Sequence, residues 1–411
     1  MWPRHPATAP GDAASTGSSH RRLAVISLSA AAVLLLSVTV IVLAPSARAS
    51  AGCDVFASPQ GSDSGAGSYQ SPFRTVQALV DALGAGKTGC LLSGTYNGNV
   101  RIANGGHPGA PATLSAAPGQ AASVVGRIEI IKGANYVTVS GLMLDGTNAQ
   151  HLQSPMIDSN HDTFSHDDVT DDHSGICFGL GSPTWGWATG TLITHSRVHD
   201  CGQMTPGDNY QHGFYIGAAT DTRIEWSLIY DNAARGIQLY PDAQYTTIDH
   251  NIIDGNGEGI IVSGEGGQAS SHTNIYDNVL SNARVRHDVE SWWPVGNPVG
   301  VDNVVHDNCI WGGRQGAIDT SGGGLRASSN LKTNPRYVSA KTHDYEMSAD
   351  SPCLALVGDV QAAVDGTTPV IAAPSARDAT KKWLMHAHAA TRKRSHKHKH
   401  TRRQHHRATK H

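Results

Sequence analysis

Two successive stretches, TRIEWSLIYDNAARGIQLYPDA (residues 222–243) and TTIDHNIIDGNGEGIIVSGEGG (residues 246–267), repeat one arrangement of apolar, Asn/Asp and Gly positions. The apolar positions align with a period of about 24 residues, which is typical of stacked coils rather than of an ordinary globular fold. The matched pairs are Ile224 with Ile248, Leu228 with Ile252, Ile229 with Ile253, and Ile237 with Ile260. Each stretch holds short β-branched runs separated by turn residues, too brief for helices. The repeat therefore predicts an all-β parallel β-helix.

One turn position of these coils recurs along the chain with a small or amide side chain. We place Gly141, Ser196, Ser227, Asn251, Asn278 and Asn308 at this position. Side chains of successive coils stack about 4.8 Å apart in such a fold, so amides there can bond to one another. We interpret these asparagines as structural rather than catalytic.

A short helix is predicted before the first coils. Ser71 suits the N-cap, Pro72 the first helical position and Gly84 the C-terminal end. One face of this helix is apolar and can close the end of the solenoid, which would otherwise expose unpaired strand edges. Its residues are Phe73, Val76, Leu79, Val80 and Leu83.

The N-terminal residues 1–49 read as an export segment. Arg21 and Arg22 precede an apolar run over residues 23–44, and Ala47-Arg48-Ala49 offers a cleavage site. The run is also long enough to span a bilayer as a transmembrane helix, so a cleaved signal peptide and an uncleaved signal anchor are both open. A lipoprotein anchor at Cys53 is a weaker alternative. Membrane association is expected only if the run is not removed.

Export changes how the six cysteines are interpreted. An even number in an oxidising compartment predicts disulfides, and no CxxC spacing indicates zinc. We expect pairing in chain order, although fifteen connectivities are possible: Cys53 with Cys90, Cys177 with Cys201, and Cys309 with Cys353.

Charge is distributed unevenly along the chain. Residues 50–373 carry 15 Lys/Arg against 32 Asp/Glu, whereas residues 374–411 carry 12 Lys/Arg, one Asp and 8 His. We therefore expect one β-helix domain over residues 52–373 and a disordered basic tail over residues 374–411. The tail could hold the protein to anionic cell-wall polymers, bind metal through its histidines, or be a solvated extension without a specific partner. No nucleic-acid partner is expected.

Two segments interrupt the repeats. Residues 158–173, DSNHDTFSHDDVTDDH, are expected to form an irregular loop or degraded coil rich in acidic and histidine side chains. Residues 284–300, RVRHDVESWWPVGNPVG, add two tryptophans and two prolines. Loops carried on a regular scaffold are frequent sites of function.

The chain resembles exported right-handed parallel β-helix proteins of the pectin-lyase-like superfamily. The resemblance rests on FASPQGSDSGAGSYQSPFRTVQALVDAL near residue 56, the repeated N-x-I and G-I motifs, and NLKTNPRYVSAKTHDYEMSADSPC from residue 330. It covers most of residues 52–357 and implies the fold. It leaves activity open, since the superfamily includes lyases, glycosidases, epimerases, esterases and adhesins.

The repeat register also predicts a site. Alignment on Gly213, Gly236 and Gly259 stacks His212, Arg235 and Glu258 on consecutive coils. Period-2 alternation places Tyr215, Gln238 and Tyr240 outward on one strip. Whether the three ionisable groups share that strip is open, because a turn can reset the alternation before the glycine.

Such a strip suits a polysaccharide, because aromatic rings pack against sugars and polar groups bind hydroxyls or carboxylates. For a lyase or epimerase, His212 or Tyr215 would transfer a proton and Arg235 or Ca²⁺ would neutralise a uronate carboxylate. A hydrolase would instead need two carboxylates, for which Asp242, Glu258 and Glu265 are candidates. A non-catalytic, mutually neutralising stack is an equally open alternative. The expected catalytic set is His212, Tyr215, Arg235 and Glu258, and the expected substrate-binding set is Gln238, Tyr240, Asp242, Glu265 and Arg286.

Known catalytic motifs of β-helix enzymes are incomplete here. The paired GHG and RIK triplets of polygalacturonases are absent, and TIDHN at residues 247–251 resembles a pectate lyase triplet only at an ordinary strand-to-turn position. The acidic body would repel polyuronates unless cations intervene, which favours Ca²⁺-dependent action or a neutral glycan. We therefore expect an exported carbohydrate-active protein, a polysaccharide lyase or epimerase, with a non-catalytic glycan-binding or cell-surface structural protein as the alternative.

Overall fold

A computed structural model describes residues 52–205 and 210–366. Within these residues the chain winds through three parallel sheets, and each coil passes from sheet 2 to sheet 3 to sheet 1. Apart from the end strands of each sheet and Ala188–Thr189, which pairs only with His212–Thr220, each strand of these sheets pairs with the corresponding strand of the coil before and after it. The sheets therefore run along the whole solenoid. The predicted parallel β-helix with an N-terminal helix is confirmed.

Sheet 1 has ten strands in the described part of the chain, including the longest of the fold. Its strands are Val100–Ile102, Ile128–Ile130, Met156–Ile157, Phe178–Leu180, Ala188–Thr189, His212–Thr220, Arg235–Gln244, Glu258–Ser263, His287–Trp292 and Gly316–Asp319.

Sheets 2 and 3 contain eleven and ten strands of the described residues, respectively. Sheet 2 consists of Val55–Ala57, Thr88–Leu91, Ala112–Ala116, Val137–Ser140, Thr163–Ser165, Leu192–Thr194, Arg223–Glu225, Thr247–Asp249, Asn274–Tyr276, Asn303–His306 and Leu325–Ser328. Sheet 3 consists of Gly94–Asn97, Ala122–Val125, Met143–Asp145, Asp168–Thr170, Arg197–His199, Leu228–Tyr230, Ile252–Asp254, Val279–Ser281, Cys309–Trp311 and Leu331–Lys332.

The register predicted from the two repeats is confirmed. Ile224 pairs with Ile248, Leu228 with Ile252, and Ile237 with Ile260. Inward side chains of all three sheets form one continuous buried core, which explains why each coil needs β-branched residues at these positions. Removing such a side chain from water contributes about 1.5–3 kcal/mol.

Asparagines stack in a ladder at the turn between sheets 2 and 3. Oδ1 of Asn278 accepts hydrogen bonds from both the main-chain N and Nδ2 of Asn251, at 2.9 and 3.0 Å. The same pattern joins Asn278 to Asn308 and Asn308 to Asn330. The structural interpretation of these asparagines is confirmed. The placement of Gly141 is wrong, because it occupies the preceding turn residue, where its φ is 70°.

The acidic segment of residues 158–173 is a regular coil, so the expectation of a loop or degraded coil is wrong. Thr163–Ser165 and Asp168–Thr170 pair in register with the coils on either side. Asp167 is 2% exposed and fills the ladder position, where its Oδ1 accepts a 3.0 Å hydrogen bond from the main-chain N of Leu142. The repeat pattern did not indicate this coil because Asp167 replaces the usual ladder asparagine.

The predicted N-terminal helix is present but begins later than expected. It spans Val76–Asp81, and the side chain of Thr75, not Ser71, caps it by accepting from the main-chain N of Ala78. Asp63 fixes the cap, because its Oδ1 accepts from the main-chain N of both Arg74 and Thr75 at 2.8 and 2.9 Å. Leu79 and Val80 are buried against the first coil.

The C-terminal part of the described chain covers the outer face of sheet 3. It comprises Tyr337–Ser339, the 3₁₀ turn Ala340–Thr342, Asp344–Met347, and the short helices Leu354–Val357 and Val360–Val364. Tyr345, Val357 and Val360 pack on outward apolar side chains of sheet 3, including Leu228 and Ile252. The outward apolar side chains Leu228, Ile252 and Val279 of sheet 3 are therefore buried within the same chain.

The expected disulfides all form: Cys53–Cys90, Cys177–Cys201 and Cys309–Cys353. In the part of the chain that the structure describes, no helix is both long and apolar enough to cross a membrane. The apolar run of residues 23–44 and the basic tail of residues 374–411 lie outside the described residues.

Candidate functional site

The predicted stack of ionisable groups lies on sheet 1. His212 pairs in register with Arg235, and Arg235 pairs with Glu258 on the next coil. Glycine follows each of them because space is short there: a Cβ on Gly236 would lie 2.9 Å from the carbonyl oxygen of Gly259. The sequence motif that aligned the coils thus marks the point where each strand enters sheet 1.

Arg235 shares the outer face with Gln238. Its Nη1 donates a 2.9 Å hydrogen bond to Oε1 of Gln238, and its Nε donates a 2.9 Å hydrogen bond to Oε2 of Glu258. Residues three apart in a regular strand face opposite sides, so this contact shows that the alternation is reset next to Gly236. Arg235 therefore lies on the same strip as Gln238.

Glu258 and Glu290 form a buried pair of carboxyl groups, each about 1% exposed. Burial raises the pKa of Glu258 to about 8; Arg235 opposes this rise, while the charge of Glu290 and a hydrogen bond to it favour the protonated form. Two carboxylates in contact cannot both ionise readily, so the pair holds one proton near neutral pH.

His212 is only 1% exposed. Complete burial, with the positive charge of Arg235 nearby, lowers the pKa of His212 well below its usual value. The imidazole is therefore neutral at physiological pH. Its Nδ1 has no hydrogen-bond partner among the described residues, so this nitrogen is available as an acceptor only to a group that reaches it.

Tyr215 and Tyr240 form the accessible part of the strip. Both rings are half-buried and meet edge to face with centroids 6.2 Å apart, and the ring of Tyr215 also stacks on that of His212 at 6.0 Å. Burial and the nearby Glu265 carboxylate raise the pKa of Tyr215. Tyr215 consequently retains its proton at neutral pH and is a hydrogen-bond donor.

The remaining predicted residues lie farther along the strip. Asp242 accepts hydrogen bonds from Nε2 of Gln244 and Gln268 at 2.6 and 2.8 Å, whereas Glu265 is exposed in the loop after Glu258–Ser263. Arg286 does not join Arg235; it forms a 2.6 Å ion pair with Glu290 instead. The structure therefore brings six predicted residues together and places three at the margin of the strip.

Sequence reasoning missed Glu290 and His287. Glu290 lies in register with Ile261 and thus continues the row of Tyr215 and Gln238 by two coils. Nδ1 of His287 contacts Oε2 of Glu290 at 2.9 Å. Alignment on glycine stopped at Gly259 because Asp288 replaces the glycine in the next coil. The apolar match of Val289 with Ile260 was the signal that could have extended the register.

No group of three or more His, Cys, Asp or Glu side chains within residues 52–205 and 210–366 is arranged to hold a metal ion. A surface pocket of about 190 Å³ lies at the turn between sheets 2 and 3, lined by Met143, His166 and Val364 among others. None of the predicted site residues lines this pocket, and the strip on sheet 1 is the better candidate site because the ionisable groups converge there.

Comparison with known proteins agrees with the β-helix fold. Residues 130–334 match the family model described as right handed beta helix region, so this part of the chain is a right-handed β-helix region. Pectate lyase PEL9 of Emericella nidulans is 37% identical over 75 residues, and the match covers 18% of this chain and 18% of that protein.

Solved structures extend the comparison to the whole solenoid. The crystal structure of pectate lyase Pel9A has 16% identity and a TM-score of 0.51, and the match covers 75% of this chain and 93% of that chain. A rhamnogalacturonan lyase has 15% identity and a TM-score of 0.51, with 75% and 94% covered. The predicted resemblance to pectin-lyase-like proteins is confirmed for the fold, which this chain shares with enzymes named as polysaccharide lyases.

Proposed function

We propose that this protein is an exported polysaccharide lyase or epimerase that acts on a uronate-containing glycan. The observation that carries the proposal is that Arg235 donates a hydrogen bond to Gln238, which is the register partner of Tyr215 on the adjacent coil of sheet 1. Glu258 and Gln238 hold the guanidinium on the outer face, one coil from a tyrosine that retains its proton. The named activities of the structures that share the fold support the same class.

Elimination and epimerisation begin with the same step, removal of the proton next to a uronate carboxylate. Arg235 would stabilise the charge that develops on that carboxylate. Tyr215 would donate a proton to the departing oxygen, and His212 would accept the ring proton. Glu258 would act through Arg235 by fixing its position. Gln238, Tyr240, Asp242, Glu265 and Arg286 would bind sugars along the strip.

The position of Glu258, one of the predicted hydrolase carboxylates, does not suit a hydrolase. Glycosidases use two carboxyl groups about 5–10 Å apart on either side of the scissile bond. Here Glu258 and Glu290 are in contact, are each about 1% exposed and compete for one proton. Such a pair supports neighbouring residues rather than reaching a sugar.

A non-catalytic glycan-binding or cell-surface protein is the second candidate. The burial of His212 and Glu258 favours this candidate, because a substrate would have to reach these side chains to react with them. Extracellular location is part of both proposals, because the three disulfides and the N-terminal sequence agree with export. Binding of the basic tail to anionic wall polymers would apply equally to either candidate.

The two candidates differ in whether they form product. The purified protein is incubated with polygalacturonate, rhamnogalacturonan, alginate and xylan, with and without added Ca²⁺. Ultraviolet absorbance detects unsaturated uronates, reducing-end assays detect chain cleavage, and proton NMR detects epimerised residues. Product that is lost in Tyr215→Phe supports the enzyme. Retained binding without product on any glycan supports the non-catalytic candidate.

A further inference from the structure

His287 and Glu290 form a second ionisable centre on the same sheet. Both belong to the strand His287–Trp292, and Nδ1 of the imidazole lies 2.9 Å from Oε2 of the carboxylate. Since a carboxylate can only accept, the imidazole Nδ1 carries the hydrogen in this contact. Glu290 is 1% exposed, whereas the side chain of His287 is 13% exposed, so the carboxylate lies behind a histidine that reaches the surface.

The tautomer leaves Nε2 as the basic atom. Nε2 of His287 has no hydrogen-bond partner among the described residues. The residue in register on the next coil is Gly316, and a Cβ built there would lie 3.5 Å from Cδ2 and 3.9 Å from Nε2 of the imidazole. A glycine at this position therefore leaves the Nε2 edge of the ring uncovered. A base held in one tautomer by a buried carboxylate is the usual arrangement of a histidine that transfers protons.

Arg286 supplies the positive charge of this centre. Its Nε and Nη2 contact Glu290 at 3.1 and 2.6 Å, and its side chain is 34% exposed. Nη1 has no hydrogen-bond partner among the residues that the structure describes. The guanidinium is thus oriented by one hydrogen bond and one ion-pair contact, while one of its nitrogens can still bind an anion.

The other charged groups that face His287 belong to neighbouring coils. Glu258, in the preceding coil, contacts Glu290, and burial raises the pKa of Glu258 to about 8, so the proton of this pair lies on Glu258. Asp319, in the following coil, is in register with Glu290. Hydrogen bonds from the main chain and side chain of Ser321 lower the pKa of its carboxyl group, and the charges of His287 and Arg286 lower it further. Trp292, at the end of the same strand, is 51% exposed and offers an aromatic surface for a sugar ring.

We propose that His287 is a catalytic base for a uronate-containing glycan, that Glu290 positions it, and that Arg286 binds the uronate carboxylate. The inference rests on the proposed activity toward a uronate-containing glycan. It places proton abstraction at His287 instead of His212, and protonation of the departing oxygen by water instead of Tyr215. Nε2 takes the proton from the ring carbon next to the carboxylate. The electron pair of that C–H bond forms a ring double bond as the neighbouring C–O glycosidic bond breaks, and the departing oxygen takes a proton from water. His287 then returns its proton to solvent.

The test compares His287→Gln, His287→Ala and Glu290→Gln in the full chain, with His306→Gln as the matched control. His306 forms a similar pair with Asp307, at 2.8 Å, but on sheet 2. On the glycan that the wild-type protein cleaves, both His287 variants should lose about 100-fold or more in kcat with KM nearly unchanged. Free imidazole should partly restore the alanine variant. Glu290→Gln should displace the pH profile of kcat/KM, which a purely structural residue would not do.

Each outcome decides a different claim. His287→Gln that unfolds at the wild-type temperature and retains activity within about twofold would overturn the role of His287 and leave the proposed function standing. Equal losses in His287→Gln and His306→Gln would also overturn it, since they would indicate a general effect on the fold. A wild-type protein that forms no product on any glycan would overturn the proposed function, and the catalytic role of His287 with it.

Discussion

Nε of Arg235 donates a 2.9 Å hydrogen bond to Oε2 of Glu258, its register partner on the next coil. The two side chains are 9% and 1% exposed, so the charges meet out of contact with bulk water. Taking charges out of water is costly, and a buried pair is tolerated only when both partners are present. The same contact that positions the guanidinium for a substrate is therefore also a structural requirement.

We expect Arg235→Ala to reduce stability as well as activity. Without the guanidinium, Glu258 loses its countercharge, and the free energy of unfolding should fall by about 3 kcal/mol. Denaturant unfolding measures the change. Lys87→Ala is the control, because Lys87 and Asp54 form a 3.0 Å pair that is largely exposed, and its loss should cost at most about 1 kcal/mol. Equal costs for the two variants would show that the Arg235 pair is solvated.

Tyr215→Phe should separate catalysis from stability. The ring is half-buried, and the substitution preserves its packing on His212 while removing the hydroxyl. If Tyr215 transfers a proton, kcat should fall by about 100-fold or more while the melting temperature changes little. Glycan-cleavage assays and thermal unfolding provide the two measurements. Tyr240→Phe, in the adjoining ring, is the matched control and should lower glycan binding more than kcat.

A loss of stability in Tyr215→Phe as large as its loss of activity would contradict the catalytic role. His212→Ala is a poorer test for this reason. The imidazole is 1% exposed, so its removal leaves a cavity and destabilises the fold whatever its chemical role.

Repetition made the fold and part of the site predictable. Pairs such as Ile224 with Ile248 share one inward position, and the same register placed His212, Arg235 and Glu258 on consecutive coils. The start of the N-terminal helix was not predictable, because Asp63, eleven residues before Arg74, fixes the main chain at Thr75. The preference of serine for the N-cap position favoured Ser71 instead.

Glu290 and His287 escaped prediction for a related reason. A sequence repeat shows positions that are shared between coils, and Asp288 broke the glycine pattern on which the alignment depended. Side-chain contacts within one strand, such as that between His287 and Glu290, depend on the local reset of alternation and are not visible in a pattern of period two. The contact between His287 and Glu290 is therefore evident only in the folded structure.

The asparagine ladder should be sensitive to single substitutions. Nδ2 of Asn278 donates to the carbonyl oxygens of Ile248 and Tyr276, and its Oδ1 accepts from Asn251. Asn278→Ala leaves these buried groups without partners, so the free energy of unfolding should fall by about 3 kcal/mol or more. Asn104→Ala, at an exposed position with one bond to the carbonyl oxygen of Asp81, is the control and should change stability by about 0.5 kcal/mol. Similar losses of stability in the Asn278 and Asn104 variants would contradict a stabilising role of the ladder.

The aspartate in the ladder predicts an unusual dependence of stability on pH. Burial raises the pKa of Asp167 to about 8 and that of Asp162 to about 7, above the value near 4 of an unfolded aspartate. Between these values the folded state binds more protons than the unfolded state, so stability is highest below about pH 4 and falls as the pH rises toward about 8. Asp167→Asn removes the contribution of this ionisation to the stability. It also places an amide, the usual ladder group, where Oδ2 of the aspartate has no hydrogen-bond partner.

The variant should therefore be more stable than the wild-type protein at pH 7.5, by roughly 1–3 kcal/mol, and nearly equal to it at pH 4. Thermal unfolding across this range measures the difference. Asp172→Asn is the control, because this aspartate is exposed in the same coil, and it should leave the pH dependence unchanged. A constant difference between Asp167→Asn and the wild-type protein from pH 4 to 8 would show that Asp167 is ionised throughout, and that its carboxylate is stabilised by the main-chain donors around it more strongly than burial destabilises it.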